Sequence, residues 1–169
     1  MKSSNMDSVE KEDMGEVMTQ PFTPNKIKIR YQSISLDFMV EKIKQGDIDL
    51  STEYQRKERL WTDEEQSRLI ESILIRIPLP VFYFDGINSE RWLVIDGLQR
   101  IKSFKRFMVD KDLKLSGLEY LPLNGKSWED LDRPQQRQII ETQLQCYILE
   151  EGDTNIKFNI FKRINVGRI

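Results

Sequence analysis

The stretch WLVIDGLQRIKSF (Trp92–Phe104) decides how this chain is read. Its first half is a short apolar run ending on Val94-Ile95, which is strand composition. Its second half spaces Ile101, Phe104 and Met108 at helical intervals. Asp96-Gly97 lies between, so a strand runs almost directly into a helix, expected from Gly97 to about Val109. Upstream, LPVFYF (79–84) reads as another strand, joined to the first by the turn residues DGINSE (85–90), which makes a hairpin. A hairpin inside an irregular alternation of strands and helices points to an α+β fold rather than a doubly wound parallel sheet.

The flanking segments fit this frame. KIKIRYQSI (26–34) alternates, with Ile27, Ile29 and Tyr31 on one side. Ser35 is placed to cap a helix bearing Leu36, Met39, Val40 and Ile43 that Gly46 ends. Thr62 and Glu65 have capping-box spacing before a helix with Leu69, Ile70, Ile73 and Leu74. A helix starts near Pro134, LQCYILE (144–150) is a strand, and TNIKFNIFKRIN (154–165) is a final helix capped by Asp153 or Thr154. Residues 1–24 are acidic and poor in large apolar side chains, which describes a disordered leader. Residues 25–169 then form one domain.

Composition excludes more than it assigns. The 169 residues contain no histidine, which rules out Ser-His-Asp and Cys-His catalytic pairs, histidine general bases and histidine-dependent nuclease centres. A single cysteine, Cys146, forms no internal disulfide and no thiolate zinc site, and its neighbours mark it as a small core residue. The single cysteine, the polar N-terminus and the lack of a membrane-length apolar run lead to the expectation of a cytoplasmic protein with no membrane partner. Lys+Arg 26 against Asp+Glu 28 argues against a generally basic nucleic-acid coat.

Two readings of Asp96–Arg100 stand side by side. In the first, Asp96 caps the helix and Gln99, at the third helical position, reaches back to it. In the second, the helix N-terminus, the unobstructed backbone at Gly97 and the fork of Arg100 hold a phosphate. Gln99, Ser103 and Arg106 then share a polar face bordered by Lys102. An arginine facing phosphate has no buried partner in the free protein, so Arg100→Ala is expected to remove binding with little loss of stability.

Three further clusters accompany the junction in order: YQRKERLW (54–61), LIESILIRIPLPVFYF (69–84) and IFKRINVG (160–167). Together with VIDGLQRIKSF, these motifs resemble the N-terminal domain of GmrSD-type restriction endonucleases, a family related to ParB and sulfiredoxin. The resemblance covers about residues 27–167. It implies a ParB/sulfiredoxin-like α+β fold, a small mixed sheet with flanking helices. It implies binding, and with it hydrolysis, of a nucleoside triphosphate with Mg²⁺, in a phage-defence system that restricts DNA. By that resemblance Asp96, Gln99 and Arg100 are catalytic candidates, with Asp96 either a cap or a Mg²⁺ carboxylate. Gly97, Arg100, Gln55, Arg56, Arg163 and Asn165 are nucleotide-binding candidates. DNA and a separate nuclease subunit are the implied partners, because the nuclease half and the helical region that usually follows the last motif are not in this sequence. Leu98 stands where the family usually has the first of two glutamines, at what is expected to be the second helical position, and it puts hydrolysis in question more than binding. The competing class is a non-enzymatic DNA- or protein-binding module on the same scaffold.

Overall fold

A computed structural model describes residues 27–51 and 59–166. The elements run β1 (Lys28–Ser35), α1 (Leu36–Lys44), β2 (Ile48–Asp49), α2 (Asp63–Leu74), β3 (Phe82–Asp85), β4 (Trp92–Asp96), α3 (Leu98–Phe104), α4 (Arg133–Ile140), β5 (Gln143–Glu151) and α5 (Thr154–Val166). Helix α3 continues without a break into a π-helical turn, Lys105–Val109. The strands form one sheet in the order β1-β5-β3-β4-β2. β1 and β5 are antiparallel, as are β3 and β4, while β3–β5 and β2–β4 are parallel. This is the expected α+β architecture: a five-stranded mixed sheet with flanking helices, in keeping with a small ParB-like fold.

The helix ends follow from local chemistry. Ser35 accepts from the Phe38 N–H and opens α1, and Gly46, with φ 74°, lies just beyond its end. Thr62 and Glu65 form the anticipated reciprocal box at α2. Helix α4 has a box the sequence reading did not single out: Asp132 accepts from the Gln135 N–H while Gln135 reaches back to the Asp132 N–H. At α5, Asp153 accepts from the Ile156 N–H.

Side chains alternate across a strand, and this divides the sheet into two unlike faces. Leu144, Cys146 and Ile148 of β5, Phe82 and Phe84 of β3, and Val94 of β4 point into one core with the apolar faces of α1–α4. Cys146 is fully buried there, and burial pushes its thiol up to about 12, so it is an inert core residue. The opposite face is covered by α5, where Ile95, Leu149 and Ile156 are buried outside the main core. Away from α5 it is open: Tyr31, Tyr147 and Tyr83 stand in register across three strands, ring centroids 5.4 and 5.5 Å apart. The alternation of Ile29 and Tyr31 therefore marks the open face, not the core; these side chains are 48% and 55% exposed.

Candidate functional site

Strand β4 ends on Asp96, opposite Tyr83 of β3, and the chain turns into α3 through Gly97. The turn needs φ 109° at Gly97, a conformation that disfavours any Cβ. A Cβ there would also lie 2.5 Å from the Phe82 ring and 3.2 Å from the Arg100 guanidinium. Glycine is thus required twice, by the backbone and by packing.

Arg100 is the hub of the junction. Its Nη2 lies 3.6 Å from Asp96 Oδ2, and both side chains are only 5% exposed. It donates to the carbonyl of Val81 at 3.1 Å and to that of Pro80, and its guanidinium carbon sits 4.0 Å over the Phe82 ring. One arginine therefore fastens the entry of β3 to the end of β4, using a fork and a stacking face together. Gln99 is equally buried, and its side-chain oxygen accepts from the Trp61 N–H at 3.1 Å. The Ser103 hydroxyl donates to the Gln99 carbonyl at 2.7 Å. Residues 61, 80–82 and 96–103 are drawn to one point by these bonds.

This geometry corrects several expectations. Gly97, not Asp96, is the helix cap, and no side chain caps α3. Asp96 is already the ion-pair partner of Arg100, so the arginine does have a buried partner, and the premise behind its expected dispensability for stability is removed. Leu98 is the first helical residue rather than the second and is 4% exposed within the main core, so it does not flank an anion at the surface. The supposed polar face is interior at Gln99 and Ser103. The cations at the far end of the helix are paired as well: Lys105 with Asp110 at 2.8 Å, and Arg106 with Asp63 at 2.7 Å and Asp112 at 3.2 Å.

The other candidates are not gathered at this point. Gln55 and Arg56 lie outside the described residues, as does the 1–24 leader. Arg163 is exposed near the end of α5, on the opposite face of the sheet, and Asn165 follows it on the same helix. Among the described residues no three acidic or cysteine side chains are grouped to hold a metal ion. None of their helices is long and apolar enough to cross a membrane.

Two buried carboxylates escaped the sequence reading. Glu71, 2% exposed, accepts from the N–H groups of Glu119, Tyr120 and Leu121 at 2.9–3.0 Å and so ties the 116–121 segment to α2. Burial pushes its carboxyl up, the three N–H groups pull it down, and the net position is below the ordinary value. Asp85, 2% exposed, receives Lys157 at 2.9 Å and the Ile87 N–H at 3.1 Å, fixing α5 to β3. The only signal for Glu71 is an acid set among the apolar positions of LIESIL (69–74); for Asp85 it is an acid ending an apolar strand.

Residues 36–169 match the family model of the GmrSD restriction endonuclease N-terminal domain. The match spans most of the chain, and the protein belongs to that family. No curated protein and no solved structure is significantly similar to it.

Proposed function

We propose that this member of the GmrSD N-terminal family is the nucleotide-binding, regulatory part of a DNA-restriction system, with the Asp96–Arg100 junction as the floor of its nucleotide site. The observation that favours this reading is the buried Asp96–Arg100 pair beside a glycine at φ 109°. Removing two charges from water costs several kcal/mol per ion before pairing offsets it, and well-packed apolar residues often serve stability as well or better. Burial of charge with a constrained backbone at one strand end is what functional sites concentrate.

In this reading Arg100 is a positioning residue. It holds Pro80-Val81 and Phe82 against Gly97, and so shapes the backbone that meets phosphate. Gln99 links the junction to the segment ending at Trp61, where Gln55 and Arg56 precede it in sequence, and we assign those two, with Arg163 and Asn165, to contacts beyond the floor. Asp96 faces a guanidinium rather than companion carboxylates, so we assign Mg²⁺ to the nucleotide phosphates and route no step through Asp96. Leu98 offers neither donor nor acceptor, and hydrolysis is assigned lower weight than binding. Cleavage of DNA is assigned to a separate nuclease subunit, since the chain has no histidine for a histidine-dependent nuclease centre and its described residues group no carboxylates to hold a metal ion.

The test is thermal stability of the full chain with each nucleoside triphosphate and Mg²⁺. A ligand at 100 times its dissociation constant stabilises by about 2.7 kcal/mol, which for a chain of this size raises Tm by roughly 5–11 °C. No shift with any nucleotide, together with salt-dependent DNA binding, would instead establish the non-enzymatic binding module.

A further inference from the structure

The two edges of the sheet are guarded unequally. β2 ends one side with two residues, Ile48-Asp49. The other side is β1, eight residues long and paired with β5 from Lys28↔Glu151 to Ser35↔Gln143. In an antiparallel ladder alternate residues direct their N–H and C=O away from the partner strand, so about four residues of β1 present both groups outward. Among the described residues no backbone hydrogen bond leaves Lys28–Ser35 on that side. Natural proteins protect such an edge by shortness, proline, a bulge or outward charge. β1 exceeds the usual length of about five or six residues and contains no proline. Its register shift lies at one end, between Lys28 and Ile29. Its two cations are drawn across the ladder, Lys28 (3.5 Å) and Arg30 both reaching Glu150 of β5. The remainder, Tyr31–Ser35, carries no charge.

We infer that β1 pairs antiparallel with β1 of a second copy of this chain, joining the two sheets edge to edge. A two-fold axis perpendicular to the sheet gives this arrangement and uses the same patch on both chains. It keeps both tyrosine faces on one side. The ladder Tyr83–Tyr147–Tyr31, which stops at the free edge with Tyr31 half exposed, then continues into the second copy. Charge favours the antiparallel sense. Arg30 alternates with buried Ile34 and so lies on the helix-bearing face, where Asp37 stands exposed in the first turn of α1. Antiparallel pairing brings Arg30 of each chain toward Asp37 of the other, whereas a parallel pairing sets Arg30 beside Arg30. The open face of β1 and β5 offers no cation for a nucleic-acid backbone at Ile29, Tyr31, Ser33, Gln145 or Tyr147, and aromatic, charge-poor surface is what protein contacts favour. The paired edge is about 26 Å long at strand rise. That is at the low end of specific interface size, so a dissociation constant in the micromolar range is expected. The inference does not depend on nucleotide binding.

The experiment is sedimentation equilibrium of the full chain between about 1 and 500 µM, with amide exchange by mass spectrometry at both ends of that range. A reversible monomer–dimer equilibrium is expected, with exchange in Lys28–Ser35 slower at the high concentration and exchange in β2 unchanged. Ser33→Lys sets a lysine at an exposed position in the middle of the edge, close to its copy across the axis. It is expected to weaken the dimer at least about tenfold while the monomer unfolds thermally close to wild type. Asp37→Lys is expected to weaken it about fivefold. A monomer at every concentration, the result if another segment or a different protein occupies this edge, would overturn the inference. So would a dimer that Ser33→Lys leaves intact, or one whose β1 amides exchange at an unchanged rate. Unchanged affinity in Asp37→Lys would overturn the antiparallel orientation.

Discussion

On the covered face of the sheet, Asp96 and Arg100 are sealed from water and bonded to each other and to backbone. On the opposite face, α5 shows Lys162 and Arg163 to solvent, and the Asp85–Lys157 pair is drawn beneath it, Lys157 still 23% exposed. Arg100 and Arg163 both match family motifs, yet their physical positions are opposite. A buried ion pair is interdependent: removing one member strands the other in low dielectric. An exposed arginine near a helix C-terminus has water as its alternative partner, so it is available to a ligand and cheap to lose. Identical residue types in one set of motifs thus divide into those that brace the fold from inside and those left at its surface.

The contrast is most open to failure at Arg100. Arg100→Ala is expected to destabilise by about 3–5 kcal/mol in urea unfolding, because Asp96 stays buried without its cation. The double variant Asp96→Leu/Arg100→Met should recover most of that loss. A single-variant cost under about 1 kcal/mol would place Arg100 in the same class as a surface arginine.

Glu71 extends the comparison to a buried charge neutralised by backbone rather than by a counter-ion. Glu71→Gln keeps one acceptor and loses the charge, with an expected cost of about 1–3 kcal/mol and faster amide exchange at Glu119, Tyr120 and Leu121. The pH dependence has a definite sign. The folded-state pKa lies below the ordinary 4.5, so its stabilisation is complete above that pH and is lost as pH falls through the depressed value. The glutamine variant should therefore lose less stability than wild type between neutral pH and acid. Parallel acid profiles would show that the carboxylate is not what ties 116–121 to α2.

Asp85→Asn probes the pair on the other face, in which the carboxylate is buried and only Lys157 reaches solvent. It should cost about 1 kcal/mol, since Lys157 retains access to water, and the loss should appear as increased amide exchange in α5 with β4 and β5 still protected. A cooperative loss across the whole sheet would mean that α5 is part of the central folding unit. The smallest effect is expected at Arg163→Ala, within about 0.5 kcal/mol of wild type by thermal unfolding. A larger loss would show that this arginine, like Arg100, is structural.

Much of the architecture was legible because it rests on local rules. The Ser35, Thr62 and Asp153 caps, the β3–β4 hairpin, the strand around Cys146 and the helix carrying Ile101 and Phe104 follow from capping chemistry and periodicity, which act over a few residues. The α+β class followed from the order of those elements, and four ordered motifs marked the family before the family model matched over residues 36–169. The junction was legible in composition and misread in arrangement. Asp96 has the right residue type for a cap, but whether it caps α3 or pairs with Arg100 depends on where β3 lies. Pro80 and Val81 come about twenty residues earlier in the chain, and no local pattern places their carbonyls beside a guanidinium.

The sequence by itself determined the elements, the polarity pattern that gives each its buried side, the exclusion of histidine chemistry and the family. Only the tertiary structure decided which face of β1 meets solvent, that Arg100 is an interior strut while Arg163 lies at the surface, and that Glu71 and Asp85 are buried and paired. The reason is the range of the forces concerned. Periodicity and capping are written in neighbouring residues, whereas the environment of a charge is set by desolvation and by partners that the sheet brings together from distant parts of the chain.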